Sequence, residues 1–156
     1  MKHMIVCLLG LFLTTSLLSQ GEDPQLRKEM EAVYLKWDTL AQKGDLKGLL
    51  AMIHPSFVQI DEDGKRTNYA QFKKELTEIL KMIREIKSHT VVHHVYGNRE
   101  ECYAWVTTKA SFKMKQGEKW QTVSFTMHAA ETLKRTPKGW QFVLSQSLPK
   151  ESVIGQ

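Results

Sequence analysis

What most constrains this chain is the run from Thr90 to Leu148, which alternates apolar and polar residues with a period of two. That period marks strands with one buried side and one water-facing side. Turn signals divide the run at Gly97-Asn98-Arg99-Glu100, at Gln116-Gly117 and at Thr136-Pro137-Lys138-Gly139, residues that tight turns favour. Pairing Tyr96 with Glu101 sets His93 opposite Ala104 and His94 opposite Tyr103; pairing Lys115 with Glu118 sets Ala110 opposite Val123 and Val106 opposite Met127. One face then carries Val91, His93, Val95, Cys102, Ala104, Val106, Thr108, Ala110, Phe112, Val123, Phe125, Met127, Ala129, Leu133, Trp140, Phe142 and Leu144. The other carries His94, Tyr103, Trp105, Thr107, Lys109, Ser124, Thr126 and His128. A one-residue slip of any strand would exchange the two sets, so the agreement of the apolar face supports the pairing.

Helical patterns precede the strands. Leu26, Met30, Val33, Tyr34, Trp37, Leu40 and Ala41 recur at three and four residues and predict a helix from Pro24 to Lys43, with Pro24 in its first turn and Gly44 as its C-cap. Asp45 caps a second, short helix with Leu46, Leu49, Leu50 and Ile53 inward, which His54-Pro55 should stop. Phe57 to Ile60 reads as a strand and Asp61-Glu62-Asp63-Gly64 as a turn, without the spaced carboxylates of a calcium loop. Asn68 and Gln71 form the two halves of a capping box for a third helix, whose inward stripe is Phe72, Leu76, Ile79, Leu80 and Ile83.

Ahead of the helices, a short basic start leads into Met4 to Leu18, an uncharged apolar run, followed by small residues and then Glu22-Asp23-Pro24. This is the layout of a secretory signal peptide over 1–21, short for a membrane span, with an uncleaved anchor as the alternative. The expected domain runs from 22 to 150 with a tail at 151–156, and the protein is expected to be exported, periplasmic or secreted. Of the 156 residues, about 135 would remain, enough for one domain with one core. The formal charge of +5 falls to +4 without Lys2, and its interspersed lysines suit solubility better than nucleic acid, which needs a basic stripe with stacking aromatics. Cys102 would be the one cysteine left, unable to form an internal disulfide and expected to be buried and inert.

The order of elements, with the Leu-rich stretch KGDLKGLLAMIHPSFVQIDEDGK (Lys43 to Lys65) and the closing KGWQFVLSQS (Lys138 to Ser147), resembles the nuclear-transport-factor-2-like superfamily, specifically its SnoaL-like, small secreted branch. The resemblance implies an α+β fold of cystatin-like type: a cone-shaped, curved mixed sheet wrapped around about three N-terminal helices, often dimeric through the sheet. Its members include isomerases, dehydratases, cyclases, ligand binders and silent domains, so it does not choose among these.

A pocket inside such a cone would be marked by polar residues on the inward face: His93, Thr108, Glu131 and Gln146. Tyr34, Trp37, Asp38, His54, Tyr69 and Phe72 could reach the same space from the helices and the first strand, and Phe125, Met127 and Trp140 would wall it. Glu131, between Ala129 and Leu133, is the candidate general base if it is buried, with His93 as the other catalytic candidate; the plainer readings are a rim carboxylate and a hydrogen-bonded structural histidine. His89, His93 and His94 do not make a metal site, because adjacent strand residues point to opposite faces and no third ligand is placed to complete one. On the outer face Tyr103, Trp105, Thr107, Thr126 and His128 form a candidate dimer contact. No nucleophile elbow, phosphate loop, paired-cysteine motif or internal repeat is present, and no cofactor is expected. The expectation is therefore an exported, non-enzymatic binder of a small apolar or amphipathic molecule. An isomerase, dehydratase or cyclase, or a dimerising interaction module, are the alternatives.

Overall fold

The computed structural model describes residues 22–149, so the signal-like segment 1–21 and the tail 151–156 lie outside the described residues. Helix α1 spans Pro24–Lys43, begins at Asp23, whose carboxylate accepts the Gln25 N–H, and ends at Gly44 with φ 64°. Its buried residues, Leu26, Met30, Tyr34 and Asp38, form a single row at four-residue spacing, the row that stacks along one side of a helix. Helix α2 is Leu46–Ala51 and drives Leu49 into the interior. Strand β1 (Ile53–Ile60), the Asp61 turn and a three-residue strand β2 (Arg66–Asn68) lead into α3 (Tyr69–Met82), where both bonds of the Asn68/Gln71 capping box are made. Strands β3 (Ile83–Gly97), β4 (Glu101–Gln116), β5 (Lys119–Thr136) and β6 (Gly139–Leu148) follow.

The six strands make one mixed sheet in the order β2-β1-β6-β5-β4-β3, antiparallel except where β1 runs beside β6. Its concave side wraps α1, and the core of Met30, Val95, Cys102, Val106, Ala129 and Leu133 sits between them. This is the α+β cone expected from the sequence. The second helix is shorter than the sequence suggests. It ends at Ala51, and the chain passes straight into β1 through His54-Pro55, with the Phe142 N–H bonded to the Met52 carbonyl. Proline is tolerated there because it falls where the β1–β6 register shifts. Ile83 begins β3 and does not belong to α3.

Both hairpins β3–β4 and β4–β5 are registered two residues away from the expected pairing. Tyr96 faces Tyr103, and Ala110 faces Phe125 around a turn at Gly117-Glu118. A shift of two leaves every side chain on its expected side. One-residue irregularities do change sides: one lies between Arg84 and Lys87, and two others move residues nominated from the sequence. Between Val92 and His94 the β3 register slips, so Val92 is buried, Val91 is exposed and His93 joins His94 on the outer face. Between Phe142 and Leu144 the β6 register slips as well: Ser145 faces Glu131 on the inside, and Gln146 and Leu144 turn outward. These are β-bulges, where two residues of one strand oppose one of its neighbour.

β3 is an edge strand, and an uncovered edge leaves N–H and C=O groups without partners. Side chains of Glu22 and of α1 cover it. Arg27 donates to the Val92 and His93 carbonyls at 3.0 and 2.6 Å, and Glu22 accepts the Val95 N–H at 2.6 Å. Asp38 accepts the Thr90 N–H at 2.7 Å and Gln42 donates to the Ser88 carbonyl at 3.1 Å. Arg27 and Glu22 also pair with each other, which holds the Glu22 carboxyl below its ordinary range. The bulge at His93 is thus held by groups more than sixty residues away in sequence.

Candidate functional site

Between α1, α3 and the concave face of the sheet lies a cavity of about 270 Å³. It exists because α3 touches the sheet at its start, where the Phe72 ring lies 5.0 Å edge-on from Phe57 of β1, and leaves space beneath the rest of its stripe. No residue of α3 is buried, and its apolar stripe of Phe72, Leu76, Ile79 and Leu80 lines the open space. Trp37, Ala110, Phe112, Phe125 and Met127 complete a largely apolar wall. Phe125 lies where this wall opens to solvent and is 45 % exposed.

Two polar groups interrupt that wall. The first is built on one row of the sheet, in which β1 Gln59, β6 Ser145 and β5 Glu131 are neighbours. Glu131 Oε2 accepts from the Tyr34 hydroxyl at 2.6 Å, and Oε1 accepts from Ser145 Oγ at 2.8 Å. Burial raises the Glu131 carboxyl above its ordinary value, against the two hydroxyl donors that favour the ionised form. Burial, then the Glu131 charge, pushes the Tyr34 phenol well above its own value and keeps it a donor. An acid raised by folding supports the folded state while it is protonated; that support is full below the unfolded value and is lost as pH rises through the raised one. Glu131→Gln cannot ionise, so its melting temperature should gain on that of the parent protein as pH rises from the ordinary glutamate value of about 4.3 through the raised one. A difference that stays flat across that range would show Glu131 to be unperturbed.

The second polar group starts at Asp38, 4 % exposed, at the inner end of the α1 row. Its Oδ1 accepts from Ser88 Oγ at 2.5 Å and from Thr90 Oγ1 at 3.0 Å, and Oδ2 takes the Thr90 N–H. Thr90 Oγ1 lies 3.0 Å from Thr108 Oγ1. The single Thr90 hydroxyl hydrogen goes to Asp38, so Thr108 is the donor in that contact. Ser88, Thr90 and Thr108 line the cavity with these bonds behind them.

Of the residues nominated from the sequence, Tyr34, Trp37, Phe72, Thr108, Phe125, Met127 and Glu131 line the cavity. Asp38 lies behind the wall, orienting Ser88 and Thr90. His54 and Tyr69 line a separate groove with Arg135 and Gln141, where His54 bonds Ser56. Trp140 packs over Arg135 and donates to Glu29 at 2.9 Å, away from the cavity. His93 and Gln146, expected inside, are outside because of the two bulges. The sequence reading missed Gln59, Ser88, Thr90 and Ser145. The adjacent apolar pair Val143-Leu144, which breaks the alternation, was the one available sign that the side of the chain changes before Ser145.

On the outer face His93 Nε2 and His128 Nδ1 meet on Thr107 Oγ1 at 2.7 and 2.9 Å. Beside them Tyr96 faces Tyr103 and His94 faces Trp105, with Tyr96 58 % and Tyr103 51 % exposed. Thr126 is one row further along, paired with Lys109 in an open groove that also holds Lys87 and His89. Cys102 is fully buried, its thiol pushed up to about 12 chiefly by burial. Among the described residues no group of His, Cys, Asp and Glu is placed to hold a metal, and no helix is long and apolar enough to cross a membrane.

Solved structures share this architecture. A nuclear-transport-factor-2-like family protein from Streptomyces avermitilis superposes with TM-score 0.68 at 12% identity, covering 81% of this chain and 98% of that one. A ketosteroid isomerase-like protein from Erwinia carotovora atroseptica gives 0.62 at 11%, covering 81% and 98%. A protein of cystatin-like fold from Nostoc punctiforme gives 0.60 at 12%, covering 83% and 96%. At these identities the likeness is one of fold. No curated protein matches the sequence significantly. The SnoaL-like domain model matches residues 30–149, from within α1 to the end of the described chain, and the protein therefore belongs to the SnoaL-like domain family.

Proposed function

We propose that this protein is an exported, non-enzymatic domain that holds a small apolar or amphipathic molecule in its cone. The observation that carries the reading is the cavity of about 270 Å³ beneath α3. A helix with a full apolar stripe and no buried residue leaves its apolar surface to be covered by something else. Ligand-binding pockets have this composition, apolar walls with a few placed polar groups. The apolar run over 4–18 supports export.

One observation favours a second reading, an isomerase, dehydratase or cyclase: burial raises Glu131, as a general base requires. Such chemistry also needs donors aimed at a developing oxyanion. The hydroxyls of Tyr34 and Ser145 are already turned onto Glu131, so binding is the better-supported role. His93, on the outer face, is withdrawn as a candidate base.

The exposed Tyr96, Tyr103 and Val91 on the outer sheet face support a homodimer through that face. Native mass spectrometry of protein recovered from its host compartment tests these readings together. The expected result is a dimer of chains beginning near Glu22, carrying a bound small molecule. A ligand-free chain that still begins at Met1 would overturn both binding and export.

A further inference from the structure

The polar groups of the cavity carry a preference that the apolar walls do not. Five hydroxyls face it, and each has its hydrogen directed at a protein oxygen: Tyr34 and Ser145 at Glu131, Ser88 and Thr90 at Asp38, Thr108 at Thr90. A hydroxyl whose hydrogen is engaged offers a ligand only lone pairs. The Glu131 carboxylate likewise has acceptor capacity left after two bonds. Among the lining residues there is no lysine, arginine or histidine. The Gln59 amide offers donor and acceptor alike, and the Trp37 indole is an uncharged donor, so neither reverses the balance.

The geometry points to a ligand that is itself a hydrogen-bond donor: an apolar body bearing a primary or secondary ammonium, which Glu131 receives, with the apolar part lying along α3 toward Phe125. This rests on the binding reading above and narrows it. An anionic amphiphile such as a carboxylate is the class the cavity rejects, since it would meet Glu131 with like charge and find no cation to pair with. The hydroxyl row at Ser88 and Thr108 lies elsewhere on the wall, since Thr108 faces Met127, four residues along β5 from Glu131. A second donor group toward the far end of the ligand would meet it. Burial that disfavours the free Glu131 charge is offset when a cation sits against it, so the ionised acid and the bound ammonium favour each other.

Three probes of one chain length decide the matter: octylammonium, octanol and octanoate, titrated calorimetrically into the full domain near neutral pH. Octylammonium should bind about tenfold or more tighter than octanol, and octanoate weakest of the three. Glu131→Gln should lower the octylammonium affinity by about tenfold and leave octanol within about threefold. Ala110→Trp, which fills the cavity from β4, should abolish binding of octylammonium and octanol together and so assign it to this cavity. Octanol or octanoate binding as tightly as octylammonium would overturn the donor preference and leave the binding reading standing. Failure of all three probes to bind would overturn the binding reading, and this inference with it.

Discussion

Asp38→Ala should cost about 2–4 kcal/mol of folding stability, a large share of the roughly 5–15 kcal/mol that holds a domain together. The carboxylate accepts three hydrogen bonds, and one of them comes from the Thr90 N–H on the free edge of β3. The Ser88 and Thr90 hydroxyls can swing toward the cavity once Asp38 is gone, but the backbone N–H cannot. Under α1 it would be left without water or acceptor, at a cost of about 1–3 kcal/mol by itself, added to the lost charge-assisted bonds. Asp38→Asn keeps an oxygen for the Thr90 N–H, and the hydroxyls can turn to accept from its amide, so its cost should be near 1 kcal/mol. Urea denaturation should show the Ala midpoint far below the Asn midpoint at equal slope. Equal losses for the two variants would mean that Asp38 matters for its charge and not as an acceptor for the β3 edge.

Leu133→Ala should cost about 2–5 kcal/mol, while Leu76→Ala should cost under about 1 kcal/mol. Leu133 is completely buried in β5 between the sheet and α1, so its removal leaves a void that close-packed neighbours cannot refill. Leu76 has the same side chain on the inward stripe of α3, yet it borders the cavity and no residue of its helix is buried. Its truncation enlarges a space that already exists and forfeits few contacts. Thermal or urea unfolding of the pair is thus a direct measure of how empty the cone is. Comparable losses at the two positions would mean that α3 packs down on the sheet in solution and that the ligand space closes.

The limits of the sequence lie at particular residues. Both hairpins could be placed two residues out of register and still assign Ala104, Val106, Phe125 and Leu133 to the correct side, because the pleat repeats every two residues. The bulges had no such protection. At His93-His94 both residues are polar and tolerate either face; at Val143-Leu144 both are apolar and do the same. The local pattern was therefore indifferent to a slip that moved His93 and Gln146 out of the cone and brought Ser145 in. Glu131 and Tyr34 were separately legible, one as an acid on an apolar strand face and the other on a helical stripe, but nothing in their spacing announced the 2.6 Å bond between them.

The sequence by itself determined the elements with strong local periodicity. The three helices with their Asp45, Asn68 and Gly44 caps, the strand faces between bulges, and the turn at Thr136–Gly139 depend on interactions within a few residues. Tertiary structure alone decided where β3 bulges, because the groups that stabilise it come from Glu22 and Arg27, far away in the chain. It alone decided that α3 meets the sheet at Phe72 and leaves a cavity beneath the rest of its stripe, since an apolar stripe reads the same whether it meets side chains or empty space. It also decided the direction of every hydroxyl hydrogen in that cavity, a consequence of where two carboxylates lie and not of the residues that carry the hydroxyls.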